Sequence, residues 1–134
     1  MNAVIIQQPG GPEALHLAEL PVPVPGPRDV VVQIAYSGVN FIDVYHRIGL
    51  YPVPLPATLG TEASGTVSAV GAEVTEVSVG DRVAYAMARG SYAEFAMVPA
   101  SAVVPVPAGV GLDLAAALML QGMTAHYQIG RAHV

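Results

Sequence analysis

The first third of the chain alternates short apolar runs with proline and glycine, a spacing that suits β-strands joined by turns better than helices. From 30 to 36 the alternation puts Val30, Val32, Ile34 and Tyr36 on one face and Val31, Gln33 and Ala35 on the other, the period of two that a strand requires. Residues 3–7 and 16–20 read as two further strands, separated by a Pro9-Gly-Gly-Pro12 turn. Residues 63–70, 82–86 and 92–98 read as three more, with turns at Gly80-Asp81 and Gly90-Ser91. Between these groups, Asn40 is placed to cap a short helix over 41–48, which Gly49 stops. Three prolines within 51–56 then remove backbone donors and force an extended loop. Near the end the pattern changes to Leu-Ala-Ala-Ala-Leu-Met-Leu-Gln after Asp113, which predicts a longer helix with Asp113 as its N-cap. Such a helix either covers its own sheet or starts a connection into a second domain.

Composition narrows the function classes. A chain of 134 residues with 53% hydrophobic and 11% charged residues predicts one globular domain, and the strands read above make it mostly β with short helices. Ten acidic residues oppose five basic ones, all arginine, so a net charge of −5 argues against a nucleic-acid partner. With no cysteine there are neither disulfides nor thiolate metal ligands, which fits a reducing cytoplasm. The N-terminus has no signal-peptide pattern, and the longest apolar run, 114–120, is far short of the roughly 20 residues of a membrane span. A soluble, cytoplasmic protein without a membrane partner is expected.

No phosphate-binding loop is legible. Gly60-Thr-Glu-Ala-Ser-Gly65 has two glycines at P-loop spacing but leads into a strand without the lysine, and Gly109-Val-Gly111 is followed by Leu114 where a third small residue belongs. Histidines 16, 46, 126 and 133 are scattered singly, without ligand spacing.

Residues 38–65, Gly-Val-Asn-Phe-Ile-Asp-Val-Tyr-His-Arg-Ile-Gly-Leu-Tyr, then the proline stretch, then Gly60-Thr-Glu-Ala-Ser-Gly65, resemble the front end of the zeta-crystallin-type quinone oxidoreductases of the medium-chain dehydrogenase/reductase superfamily. The resemblance extends over about residues 1–128 and is moderately specific for the zinc-free branch. It implies a GroES-like, partly open β-barrel catalytic domain over 1–128, truncated before a Rossmann domain. Residues 115–128 resemble the bridge into that domain. The remaining residues, Ile129-Gly-Arg-Ala-His-Val134, do not match the continuation and do match one reading frame of a common sequencing adapter, so 129–134 is expected to be a non-native tail.

The same resemblance implies NADPH as cofactor, no zinc, a quinone or α,β-unsaturated carbonyl as substrate, and a homodimeric parent. Where zinc-dependent relatives have Gly-His-Glu, this chain has Gly60-Thr61-Glu62. A metal-free reductase must steady developing oxyanion charge by hydrogen bonds. Asn40, Tyr45 and Tyr51 suit that task, and the family's matching residues line the nicotinamide and substrate side of its cleft. Those matching Gln121 to Thr124 approach the nicotinamide, giving Asn40, Tyr45, Gln121, Met123 and Thr124 as cofactor-binding candidates. Asp43 and Glu62 read as structural carboxylates, Glu62 accepting hydrogen bonds from backbone or from an arginine, with Arg82 a candidate partner. The chain alone is expected to bind NADPH weakly or not at all and to be inactive. Two alternatives are a GroES-like binding or assembly module without catalysis, and a fragment of an enoyl reductase.

Overall fold

The computed structural model describes residues 1–131. Eight strands and two α-helices follow in the order β1 (Asn2–Ile6), β2 (His16–Glu19), β3 (Asp29–Ser37), α1 (Phe41–Ile48), β4 (Ala57–Thr58), β5 (Glu62–Val70), β6 (Arg82–Ala86), β7 (Phe95–Pro99), β8 (Val104–Pro105) and α2 (Leu112–Arg131). The strands form two antiparallel sheets, β2-β1-β4 and β7-β3-β5-β6-β8. A bridge between Ala3 and Ala93 and the hydrogen bond from Val4 N–H to Tyr92 O at 2.8 Å join the small sheet to the large one. This is the mostly-β architecture that the alternating runs predict.

The main core lies on the large sheet, where Val30, Val32, Val67, Val83, Tyr85 and Val98 are fully enclosed. Ile6, Ala57 and Leu59 form a second, smaller core under the three-stranded sheet. β3 departs from strict alternation. Val31 is buried as well as Val30 and Val32, so both faces of the strand are covered there, and Tyr36 stands half exposed beyond the unpaired Ala35, where the pairing of β3 with β5 shifts between Ile34 and Tyr36. Such a shift resets which face the following side chains take. Gly65 allows the two central strands their closeness. A Cβ there would stand 2.0 Å from the Gln33 carbonyl oxygen.

Several boundaries differ from the sequence reading. β7 begins at Phe95 rather than 92, because Tyr92 lies in the preceding loop, its backbone engaged with Leu59 O and Val4 N. β1 ends at Ile6 and β2 at Glu19. Asp113 is not the N-cap of α2. The helix already includes Leu112, and its first turn is closed by Ala115 N–H on Gly111 O at 3.0 Å, which places Asp113 within that turn. The two-residue strands β4 and β8 lie outside every strand read from the sequence.

α2 packs on β5, β6 and β3 through its N-terminal half, where Ala115 and Ala116 are buried. Residues 129–131 continue it, and the rest of the expected tail, Ala132, His133 and Val134, lies outside the described residues. No helix among the described residues is long and apolar enough to cross a membrane.

Candidate functional site

α1 starts at Asn40, which lies in extended backbone and forms a capping box with Asp43. Asp43 Oδ2 accepts the Asn40 N–H at 3.0 Å, and Asp43 N–H donates to Asn40 O at 3.0 Å. The helix ends at Gly49, whose φ of 84° is the left-handed value that a C-terminal glycine adopts without strain. Both ends of α1 are thus fixed by residues legible in the sequence, and α1 carries two of the expected site residues, Asn40 at its start and Tyr45 near its end.

The Asn40 side chain turns toward the sheet and toward α2. Its Nδ2 donates to Glu62 Oε1 at 3.0 Å, and its Oδ1 accepts from Gln121 Nε2 at 3.4 Å. Glu62 opens β5 and has 0% exposure. Its second oxygen, Oε2, accepts the backbone N–H of Leu120 in the interior of α2. A buried carboxylate is tolerable because its oxygens have donors. Two residues on, Ser64 Oγ donates to Leu112 O at the start of the same helix. β5 therefore ties α2 down at two places, through polar groups that its own sheet does not use.

Arg82 is not the partner of Glu62. In the β5–β6 register Glu62 faces Ala86 and Arg82 faces Thr66, so the two lie at opposite ends of the pair. The Arg82 guanidinium instead donates to Val110 O at 2.6 Å and Pro107 O at 3.3 Å, bracing the loop that leads into α2.

Between α1 and α2 opens a groove of about 560 Å³, lined by Asn40, Phe41, Ile42, Leu120, Gln121 and Thr124 with further residues of α2. Of the expected site residues, Asn40, Gln121 and Thr124 meet here. Met123 is half exposed and does not line it. Tyr45 and Tyr51 are gathered elsewhere, against each other, with ring centroids 5.3 Å apart in an edge-to-face arrangement and Tyr51 N–H donating to Tyr45 O at 3.2 Å. Five residues along a helix turn a side chain by about 140°, so Tyr45 leaves α1 on a different side from Asn40. The expected set forms two groups at the two ends of α1, an amide group at the groove and a phenol pair at the loop.

A third cluster backs α1. Tyr92 O–H donates to Asp43 Oδ2 at 2.6 Å. Burial, then the hydrogen bond and charge of Asp43, push the Tyr92 phenol well above its ordinary range. Asp43 Oδ1 and His46 Nδ1 are buried and hydrogen-bond to no protein atom. Burial lowers the His46 pKa from 6.5, the positive charge of Arg89 lowers it further, and Asp43 pulls in the opposite direction.

The glycines weighed for phosphate binding are engaged otherwise. Gly60, at φ 90°, lies so close to Ser91 and Tyr92 that a Cβ would stand 2.2 Å from Ser91 Oγ. Gly111 sits under the Asp113 carboxylate, where a Cβ would stand 2.5 Å from Oδ1, and a negative side chain at a helix N-terminus occupies the place an anion would take. Among the described residues no group of three His, Asp or Glu side chains gathers at metal-binding distance.

Sequence reasoning did not assign Phe41, Ile42 and Leu120 to the groove, nor Tyr92 to Asp43. The partners of Tyr92 and Leu120 are 49 and 58 residues away, and no local pattern reports such pairings.

A family model described as the alcohol dehydrogenase GroES-like domain matches residues 26–108. The quinone oxidoreductase of Pseudomonas aeruginosa is 46% identical over 126 residues, 92% of this chain and 39% of its own length. The 2-haloacrylate reductase of a Burkholderia species is 39% identical over 139 residues, 98% of this chain and 41% of its own. The crystal structure of the Escherichia coli quinone oxidoreductase complexed with NADPH superimposes with a TM-score of 0.95 at 39% identity, over 98% of this chain and 41% of that one. The chain spans about two fifths of the length of these relatives.

Proposed function

The chain belongs to the alcohol dehydrogenase GroES-like domain family, and from that premise we propose that residues 1–128 form the substrate-side domain of a zinc-independent, NADPH-dependent quinone oxidoreductase, with 129–134 an appended tail. The observation that carries this reading is the convergence of Asn40 and Gln121, 81 residues apart in sequence, with Thr124 on one groove. The groove has the chemistry a nicotinamide end requires, apolar walls from Phe41, Ile42 and Leu120 for the ring and amide or hydroxyl groups for its carboxamide. NADPH, when bound, supplies the hydride. Asn40, Gln121 and Thr124 hold the ring's orientation, and the apolar walls exclude water. The phenols of Tyr45 and Tyr51 donate to the substrate oxygen as it gains charge. Met123, half exposed on α2, flanks the cofactor. The one carboxylate of the Gly-Thr-Glu stretch is spent on Asn40 and Leu120, in keeping with a reaction that uses no zinc. The complete parent is a cytoplasmic homodimer that engages neither nucleic acid nor membrane.

The test is a chimera in which residues 1–128 replace the corresponding part of the Escherichia coli quinone oxidoreductase. NADPH oxidation driven by p-benzoquinone is the expected result, while the chain alone turns over nothing. A chimera that melts cooperatively and binds NADPH yet reduces neither a quinone nor an enone contradicts the reading. The similarity to the 2-haloacrylate reductase favours a second one, hydride delivery to a carbon–carbon double bond beside a carboxylate. Faster turnover of 2-chloroacrylate than of p-benzoquinone in the same chimera would select it.

A further inference from the structure

We propose that Glu62 is a positioning residue that sets the polarity of the groove, holding the Asn40 amide so that its carbonyl oxygen rather than its N–H faces the ligand. A carboxylate oxygen accepts hydrogen bonds and does not donate them. Glu62 Oε1 therefore selects the Nδ2 end of Asn40, at 3.0 Å. The other oxygen is held by Leu120 N–H, a backbone donor that cannot reverse its role. Asn40 Oδ1 is left as the other end, on the side of the Asp43 N–H of the capping box, where it meets Gln121 Nε2 at the groove. An asparagine without such a neighbour can offer either end of its amide; this one cannot.

Glu62 is itself unable to swing aside. It is fully enclosed, and Gly38 packs so closely that a Cβ there would stand 2.0 Å from Oε1. Because Leu120 and Gln121 are neighbours on α2, one carboxylate fixes both the amide and the helix segment that faces it. The polarity runs one way, from the buried start of β5 outward, and Asn40 presents an acceptor to the groove. An acceptor recognises a ligand with N–H or O–H donors. For a nicotinamide that donor is the carboxamide NH2, a step that rests on the proposed function, whereas the Glu62–Asn40 polarity does not.

Side-chain amide resonances of the 15N-labelled chain test the two separately. The chain has two asparagines, Asn2 and Asn40, so the Asn40 signal is readily assigned. One Asn40 N–H proton should be shifted downfield and exchange slowly, and Glu62→Gln should abolish both properties while the amide signals of the large sheet stay in place. Nicotinamide is then titrated against 3-acetylpyridine, which keeps the ring and carbonyl but has a methyl group for the NH2. Tighter binding of nicotinamide by about fivefold, the worth of one hydrogen bond, is expected, with the ratio falling toward one in Glu62→Gln. Should that variant fail to fold, Gly38→Ala displaces the carboxylate with its charge intact and should lower the ratio likewise. An Asn40 amide indistinguishable from that of Asn2, or equal affinity of the unaltered chain for the two ligands, overturns the proposal. If neither ligand binds in the groove while the Asn40 signal behaves as expected, the nicotinamide reading fails and the positioning role of Glu62 stands.

Discussion

β5 and α2 lie against each other and treat polarity in opposite ways. The strand buries Glu62 and Ser64 completely, while the helix leaves Leu114, Leu118, Met123, Tyr127 and Ile129 at least half exposed. Hydropathy alone would have reversed the two. The buried polar groups of β5 are satisfied by the backbone of α2, at Leu120 N–H and Leu112 O, so their burial leaves no orphaned donor or acceptor. The apolar side chains of α2 are what those two tethers hold out beyond the sheet. Burial in this domain thus follows which groups the neighbouring element can satisfy or cover, and the apolar outer face of α2 is a surface its own sheet does not reach.

The largest expected effect that tests this contrast is in the β body. Ile6→Ala empties a fully buried site and should cost about 2–5 kcal/mol in urea unfolding. A loss below that of an exposed α2 residue would break the comparison. Next comes the tether. Ser64→Ala removes the donor to Leu112 O and should cost about 1 kcal/mol, seen as faster amide exchange in the first turns of α2 with the strands unchanged. Uniform loss of protection across both sheets would mean that Ser64 serves the body rather than the helix.

The third test concerns pH. The folded pKa of His46 lies below its unfolded value of 6.5, so on acidification the unfolded chain takes the proton first and stability rises with pH. His46 should cost nothing above about pH 6.5 and should lower the melting temperature progressively as pH falls below it. His46→Gln should flatten that part of the profile. An unchanged slope would remove His46 as its source. The smallest effect belongs to the outer helix face, where Leu118→Gln should alter stability by no more than about 0.5 kcal/mol and improve solubility. A larger loss would show that the face is covered within the chain.

Much of the fold was legible because its signals are local. Alternation found most of the large sheet, Asn40 and Gly49 bracketed α1 at its observed ends, and the prolines of 51–56 kept that stretch out of a strand. What escaped was long-range. The face taken by Tyr36 depends on a register shift against β5, and Tyr92 left its expected strand because the loop carries it to Asp43. Arg82 looked like a partner for Glu62 only while the β5–β6 register was unknown. Of the site, the residue types were readable and their grouping was not. Asn40 with Gln121 needs α2 folded back onto β5, and the division between Asn40 and Tyr45 needs the turn of a helix around its axis.

The central claim, that the groove between α1 and α2 receives the nicotinamide end of the cofactor, is tested most directly by titrating reduced nicotinamide mononucleotide into the 15N-labelled chain. This ligand carries the reacting ring without the adenosine half. Shifts confined to Asn40, Phe41, Gln121, Thr124 and their neighbours are predicted. Shifts centred elsewhere, such as the cavity beside Arg89 and Phe95, or none at millimolar ligand, would contradict it.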